Sequence, residues 1–224
     1  MSYDSDEEQV EQLKRLWKEY GQPVIVGVLI TLVGVFGYKA WQKNQYENAV
    51  AASQLYQNLL DTVGQVAGGD LSEEQESTMT HVVDTLQKDY SGSRYAAMAT
   101  LFLVQQQVRD NELDKAEKSL NWILEQKPDP EVNALTRIRL ARVLLAQPDS
   151  KAQKALDILG SLKPGDKSFV ASVESARGDA YLALGQQKKA QEAYQKALDS
   201  SQAEGRPRPL LQLKLDDLAL PQEG

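Results

Sequence analysis

The sequence contains no cysteine in 224 residues and only one histidine, His81. Without thiols there is no disulfide, no thiolate metal site and no sulfur nucleophile. With one imidazole, a histidine metal cluster or a Ser-His-Asp triad has almost nothing to be built from. Basic residues are also short, with 25 Lys and Arg against 32 Asp and Glu and a net charge of −7. That balance opposes nucleic-acid binding, because phosphate contacts need a surplus of cations. The shortage is concentrated between Asn44 and Gln87, which holds no Lys or Arg but carries Glu47, Asp61, Asp70, Glu73, Glu74, Glu76 and Asp84. A phosphate loop is missing too. Gly64-Gln65-Val66-Ala67-Gly68-Gly69 is followed by no Gly-Lys-Ser/Thr and preceded by no strand pattern. Glu73-Glu74 and Asp216-Asp217 are sequential pairs that point in different directions on a helix, so neither is an acid–base couple by itself. His81 lies beside the apolar face of Val82 and Val83 with no second ligand at helical spacing, and reads as an ordinary surface or boundary residue. No cofactor, metal site or catalytic residue is expected. A carboxylate-based hydrolase is the formal alternative, and it requires a deep pocket with two convergent acids.

What the sequence does have is one uncharged run, Tyr20 to Tyr38, 19 residues long. As a helix it reaches about 28 Å, close to the roughly 30 Å of a bilayer's hydrocarbon. Val24, Ile25, Val26, Val28, Leu29, Ile30, Leu32, Val33, Val35 and Phe36 lie within it. At about 0.3–0.6 kcal/mol each they favour insertion by roughly 3–6 kcal/mol. Trp17 and Tyr20 flank one end, Tyr38 and Trp41 the other, as interfacial aromatics do, and Lys39 and Lys43 can snorkel outward. A buried core helix is one alternative, though an uncharged run this long is unusual for one. A cleaved signal peptide is another, but an acidic and polar segment precedes the run and bulky Tyr38 stands where a small residue is wanted. The run reads as an uncleaved signal anchor. Lys14, Arg15 and Lys18 before it outnumber Lys39 and Lys43 after it. Together with the acidic stretch that follows, this places the N-terminus inside and the long C-terminal part outside. Gly27, Thr31 and Gly34 give the run one small face on which another membrane helix could pack, although Gly is common in membrane helices anyway. Before the run, Ser5 and Glu8 are spaced as a capping box. Val10, Leu13, Trp17 and Tyr20 then make a short amphipathic helix ending at Gly21.

Downstream no segment alternates with period two, so the fold expected is all-α. Helical spacing continues through Tyr46, Val50, Tyr56 and Leu59 to a break at Ala67-Gly68-Gly69, and restarts at a cap of Ser72 to Gln75. The apolar face of this second helix is Met79, Val82, Val83 and Leu86, and Ser91-Gly92-Ser93 ends it. From Tyr95 the chain repeats. The clearest unit reads Gly178, Tyr181, Gly185, Ala190, Tyr194, Ala197, the tetratricopeptide pattern of small and aromatic residues on two antiparallel helices. Gly178 and Ala190 are small where the helices cross, the two tyrosines fill the space around them, and Gly185 ends the first helix. Weaker copies precede it. One has Ala141 and Leu144 facing Ala155, Leu159 and Leu162. Another has Leu101, Leu103 and Val104 leading through Asn111 to Ala116, Leu120 and Ile123. Three repeats are about the fewest that bury a continuous core. Leu211, Leu215 and Leu218 then stripe a last helix that caps the stack, with Leu210, Leu213 and Leu220 beside the stripe. The expected organisation is 1–20 cytoplasmic amphipathic segment, 21–40 transmembrane anchor, 41–90 acidic helical neck, 91–205 tetratricopeptide-like repeats, and 206–224 capping helix and tail. Arg139, Arg142 and Arg177 fall on first helices and could hold carboxylates of a partner, although plain solvated arginines would look the same.

The acidic start with Gln9-Val10-Glu11 and Lys14-Arg15-Leu16-Trp17, the span with Gly27-Val28, the acidic neck, three degenerate repeats and the tail Leu211-Gln212-Leu213-Lys214-Leu215-Asp216-Asp217-Leu218 together carry a likeness. The chain resembles the bacterial ancillary SecYEG translocon subunit family over almost its whole length. The likeness implies a non-enzymatic inner-membrane protein, N-terminus in the cytoplasm and repeat domain in the periplasm. It further implies that the chain associates with SecYEG and with a membrane-anchored chaperone of the peptidyl-prolyl isomerase type, and assists nascent secreted polypeptides. Gln202 stands where the last repeat usually has a proline. A repeat scaffold for envelope assembly or cell division is the alternative function.

Overall fold

The structure, a computed structural model, describes residues 3–64, 71–162 and 169–219. Among them the chain forms nine α-helices and no strand: α1 (Tyr3–Gly64), α2 (Glu73–Asp89), α3 (Arg94–Arg109), α4 (Leu113–Glu125), α5 (Pro130–Ala146), α6 (Ala152–Gly160), α7 (Val170–Ala183), α8 (Gln187–Ala203) and α9 (Pro209–Ala219). Two compact units result, 1–51 and 52–224.

In the first unit α1 does not stop at Gly21. Trp17 lays its ring against Gly21, where a Cβ would come within 3.2 Å of it, and the helix runs on. Pro23 sits inside the helix. It forfeits one backbone hydrogen bond without ending the helix, a loss membrane helices commonly absorb. The expected cap of Ser5 and Glu8 depends on side chains outside those described, and the helical backbone already runs from Tyr3. Ile25, Val26, Val28, Leu29, Ile30, Val33 and Phe36 are exposed. The helix is long and apolar enough from Ile25 onward to cross a membrane. Thr31 turns its hydroxyl back to donate to the Gly27 carbonyl at 2.8 Å, and a Cβ at Gly27 or Gly34 would meet nothing within 4 Å.

The second unit is a stack of helical hairpins with local caps. Ser72 closes a capping box on α2: its Oγ accepts from Gln75 N at 3.3 Å while its own N–H donates to Gln75 Oε1 at 2.9 Å. Ser93 caps α3, and Asp129 caps α5 with Pro130 at the first helical position. The break expected at Ala67-Gly68-Gly69 and Leu220 lie outside the described residues. The last part of α1 packs with α2 and α3, burying Ala52, Leu59, Met79, Val83, Leu86, Ala96 and Ala99. From Ala52 on, the segment expected as a neck packs as the first layer of the stack. The hairpins α3/α4 and α5/α6 share a second cluster with α7. There Leu101, Val104, Ala116, Leu120, Ile123, Leu140, Ala141, Leu144, Ala155 and Leu159 are buried. Trp122 touches both clusters. A third cluster joins α8 to α9 through Ala190, Tyr194, Ala197, Leu211 and Leu215.

The α7/α8 hairpin shows why its pattern was legible. Tyr194 is buried with its ring directly over Gly178; a Cβ there would lie 2.5 Å from Tyr194 Cδ1. The small residue is thus demanded by the ring more than by the crossing of two backbones. Tyr181 is half-buried against the same cluster, with the Lys189 ammonium 5.6 Å from its ring centre. Gly185 ends α7 at φ +71°, in the left-handed region that favours glycine. It leaves Gln186 N to donate to Tyr181 O at 2.8 Å and Gly185 N to donate to Leu182 O at 2.9 Å. That pair of bonds satisfies the last carbonyls of the helix. Asn111 does the same for α3 at φ 58°, with Glu112 N donating to Gln107 O at 2.7 Å.

Candidate protein-binding groove

Helices α3 and α5 are the first helices of successive hairpins and lie side by side, joined by α4. Their facing sides leave a cavity of about 380 Å³. Val104, Gln105 and Val108 line it from α3, Leu113 from the start of α4, and Arg139, Arg142, Val143 and Ala146 from α5. Val104 and Val143 are buried at its floor and Val108 is exposed at its edge. The walls are mostly apolar, with two guanidiniums at one side.

Arg139 is half-buried and donates from Nη1 to the Leu101 carbonyl at 3.2 Å. Burial, and then the like charge of Arg142, hold its pKa below the usual arginine range. It stays charged nonetheless, since guanidinium is not deprotonated in proteins. Arg142 is exposed. Among the described residues neither forms an ion pair with a carboxylate. Arg177, expected with them, lies elsewhere. It donates to Glu174 at 2.5 Å and to the Leu159 carbonyl at 3.2 Å, so its charge is satisfied inside the domain. His81 is exposed beside buried Val82 and Val83.

Two polar clusters escaped sequence reasoning. Glu117 on α4 accepts from Lys154 at 2.7 Å, Gln147 at 2.8 Å and Lys151 at 3.1 Å, tying the first hairpin to the second. Chiefly the Lys154 hydrogen bond holds its carboxyl down at about 2. Asp179 on α7 accepts from Tyr194 OH at 2.6 Å and from Lys214 Nζ on α9. Lys214 also lies 5.2 Å from the Tyr194 ring centre, and burial followed by the Asp179 hydrogen bond pushes the Tyr194 hydroxyl pKa up. The partners in these clusters come from different helices or the α5–α6 turn, 15 to 37 residues apart. No local signal marks them.

A stack of helical hairpins with successive first helices side by side defines a class, the tetratricopeptide-type repeat domain. Residues 14–220 match the family described as Tetratricopeptide repeat-like domain. The chain is 28% identical over 218 residues to the ancillary SecYEG translocon subunit of Escherichia coli, covering 97% of this chain and 98% of that protein. To the protein of the same name in Haemophilus influenzae it is 30% identical over 222 residues, covering 97% and 100%. To that of Neisseria gonorrhoeae it is 27% identical over 213 residues, covering 95% and 97%. No solved structure matches the chain. The chain belongs to the ancillary SecYEG translocon subunit family.

Proposed function

We propose that this chain is a non-catalytic ancillary subunit of the SecYEG translocon, held in the inner membrane by α1 with its N-terminus in the cytoplasm and its hairpin stack in the periplasm. There it links the translocon to a membrane-anchored chaperone of the peptidyl-prolyl isomerase type and helps handle newly translocated polypeptides. The observation that carries the reading is likeness to translocon subunits along almost the whole chain, span and stack together. A shared repeat domain alone would be compatible with many partners. Lys14, Arg15 and Lys18 ahead of the span, and the acidic stretch after it, support the orientation. Gly27, Thr31 and Gly34 offer the translocon a face for close helix approach. Arg139 and Arg142 mark where the stack takes a partner, and Arg177 supports its own domain instead.

Tethering turns a weak contact into an effectively intramolecular one and raises occupancy by about 10² or more. The test is co-purification from detergent-solubilised membranes with and without residues 1–40. The full chain should recover translocon subunits and the shortened one should lose nearly all of them. Equal recovery contradicts the proposal.

A further inference from the structure

The groove between α3 and α5 holds a charge pattern that the fold leaves unmatched. Arg139 and Arg142 are three apart on α5 and therefore share a face. Both line the cavity, and Arg139 is half-buried with one of its N–H groups given to the Leu101 carbonyl. Holding a partly buried cation beside a second cation is unfavourable until an anion joins them. In the neighbouring hairpin the chain supplies that anion itself, Glu174 against Arg177. At Arg139 and Arg142 no described carboxylate does so. The rest of the wall is apolar apart from Gln105: Val104, Val108, Leu113, Val143 and Ala146.

A cavity of about 380 Å³ suits a few side chains, at the small end of ordinary ligand pockets. Its chemistry selects one carboxylate adjoining one bulky apolar group. A polyanion fits poorly, because the molecule as a whole carries −7 and repels it. A chain-terminal carboxylate is normally caught by free backbone N–H groups. The groove is walled by helix side chains, whose backbone donors α3 and α5 already use. We propose that the groove between α3 and α5 binds an extended protein segment in which an aspartate or glutamate side chain adjoins a bulky apolar residue. The guanidiniums of Arg139 and Arg142 fork the carboxylate, and Val104, Val108 and Val143 seat the apolar side chain. The inference rests on reading the stack as a binding module and names what that module recognises.

The test is an array of acetylated, amidated octapeptides carrying every pairing of Leu, Ile, Phe or Val with Asp, Glu, Asn or Gln, probed with the full chain in detergent micelles. Acid-bearing peptides should be retained about tenfold better than their amide counterparts. Arg142→Gln, at an exposed position, should abolish that preference, and Arg139→Gln should weaken it. Lys196→Gln, which removes a surface charge on α8, should leave it intact. Val108→Asp should lower retention of every peptide. Equal retention of acid and amide peptides, no retention at all, or a preference that survives Arg142→Gln overturns the proposal. So does transfer of the preference to a free terminal carboxylate on acid-free peptides. The array contains no translocon, so its failure leaves the co-purification result standing, and the reverse.

Discussion

Leu29, Ile30 and Val33 in α1 are 55%, 67% and 73% exposed, whereas Leu59, Leu120 and Leu144 in the hairpin stack are fully buried. The residue types and the backbone conformation are alike. What differs is whether the chain supplies something to pack against. In the stack, each apolar stripe meets a stripe on the next helix, and hydrophobic burial holds the layers together. Along Ile25–Phe36 the helix is apolar on every side save for Thr31, and no described residue covers it. Such a helix is at rest in hydrocarbon, where its own hydrogen bonds satisfy the backbone. The two units therefore answer to different solvents, and each should fail by a different insult.

Tyr194→Ala makes the largest break on the stack side. It empties the space over Gly178 and removes the ring beneath Lys214, at an expected cost of about 3–5 kcal/mol. Thermal unfolding of the stack should shift strongly downward, and retention in membranes after an alkaline wash should be unchanged. Leu29→Asp is the reverse experiment, with an expected cost of about 3 kcal/mol at the centre of the span. Membrane retention should fall while the unfolding temperature of the stack holds. If either substitution moves both readouts, the division into two independently stabilised units is wrong.

Gly178→Ala sharpens the account of the α7/α8 hairpin. Alanine is the better helix former, yet its Cβ would press on the Tyr194 ring, and overpacking of this kind costs about 1–3 kcal/mol. Urea denaturation should show a loss for the single variant. Combining Gly178→Ala with Tyr194→Leu should cost less than the two separate losses added together, because the colliding ring is gone. Strict additivity would contradict the contact.

The smallest effect concerns Glu117. Its folded-state pKa lies below the unfolded value because Lys154, Gln147 and Lys151 hydrogen-bond the charged form. The stability this gives is present above the unfolded carboxyl range, near pH 4.5, and is lost as pH falls through about 2. Glu117→Gln should flatten that part of the acid-unfolding profile and cost about 1 kcal/mol at neutral pH, the partners being partly exposed lysines. An unaltered profile would show that the cluster adds nothing between the hairpins.

Legibility in the sequence followed the range of the physics. Ser72 with Gln75 and the left-handed stops at Asn111 and Gly185 are local devices, and they fall where spacing placed them. Ala116, Ala155 and Ala190, spaced near one repeat length, are all fully buried at hairpin contacts. Gly21 misled, because breakers end helices in water more reliably than in a long apolar run. The groove was legible in part. Arg139 and Arg142 are three apart and share a face by geometry. Arg177 is held away from them by Glu174, three residues back and visible in the spacing, and by the Leu159 carbonyl of another helix, which sequence distance hides. The Asp179–Tyr194–Lys214 cluster was invisible for the same reason.

The absence of cysteine allows the central claim to be tested cleanly, since any introduced thiol is the only one in the chain. Lys14→Cys and Lys188→Cys place single thiols before the span and on α8, both at exposed positions. They are exposed to a membrane-impermeant maleimide in spheroplasts, before and after lysis. The account predicts that Lys188→Cys reacts in intact spheroplasts and Lys14→Cys reacts only after lysis. Labelling of Lys14→Cys from outside, or protection of Lys188→Cys until lysis, would contradict it.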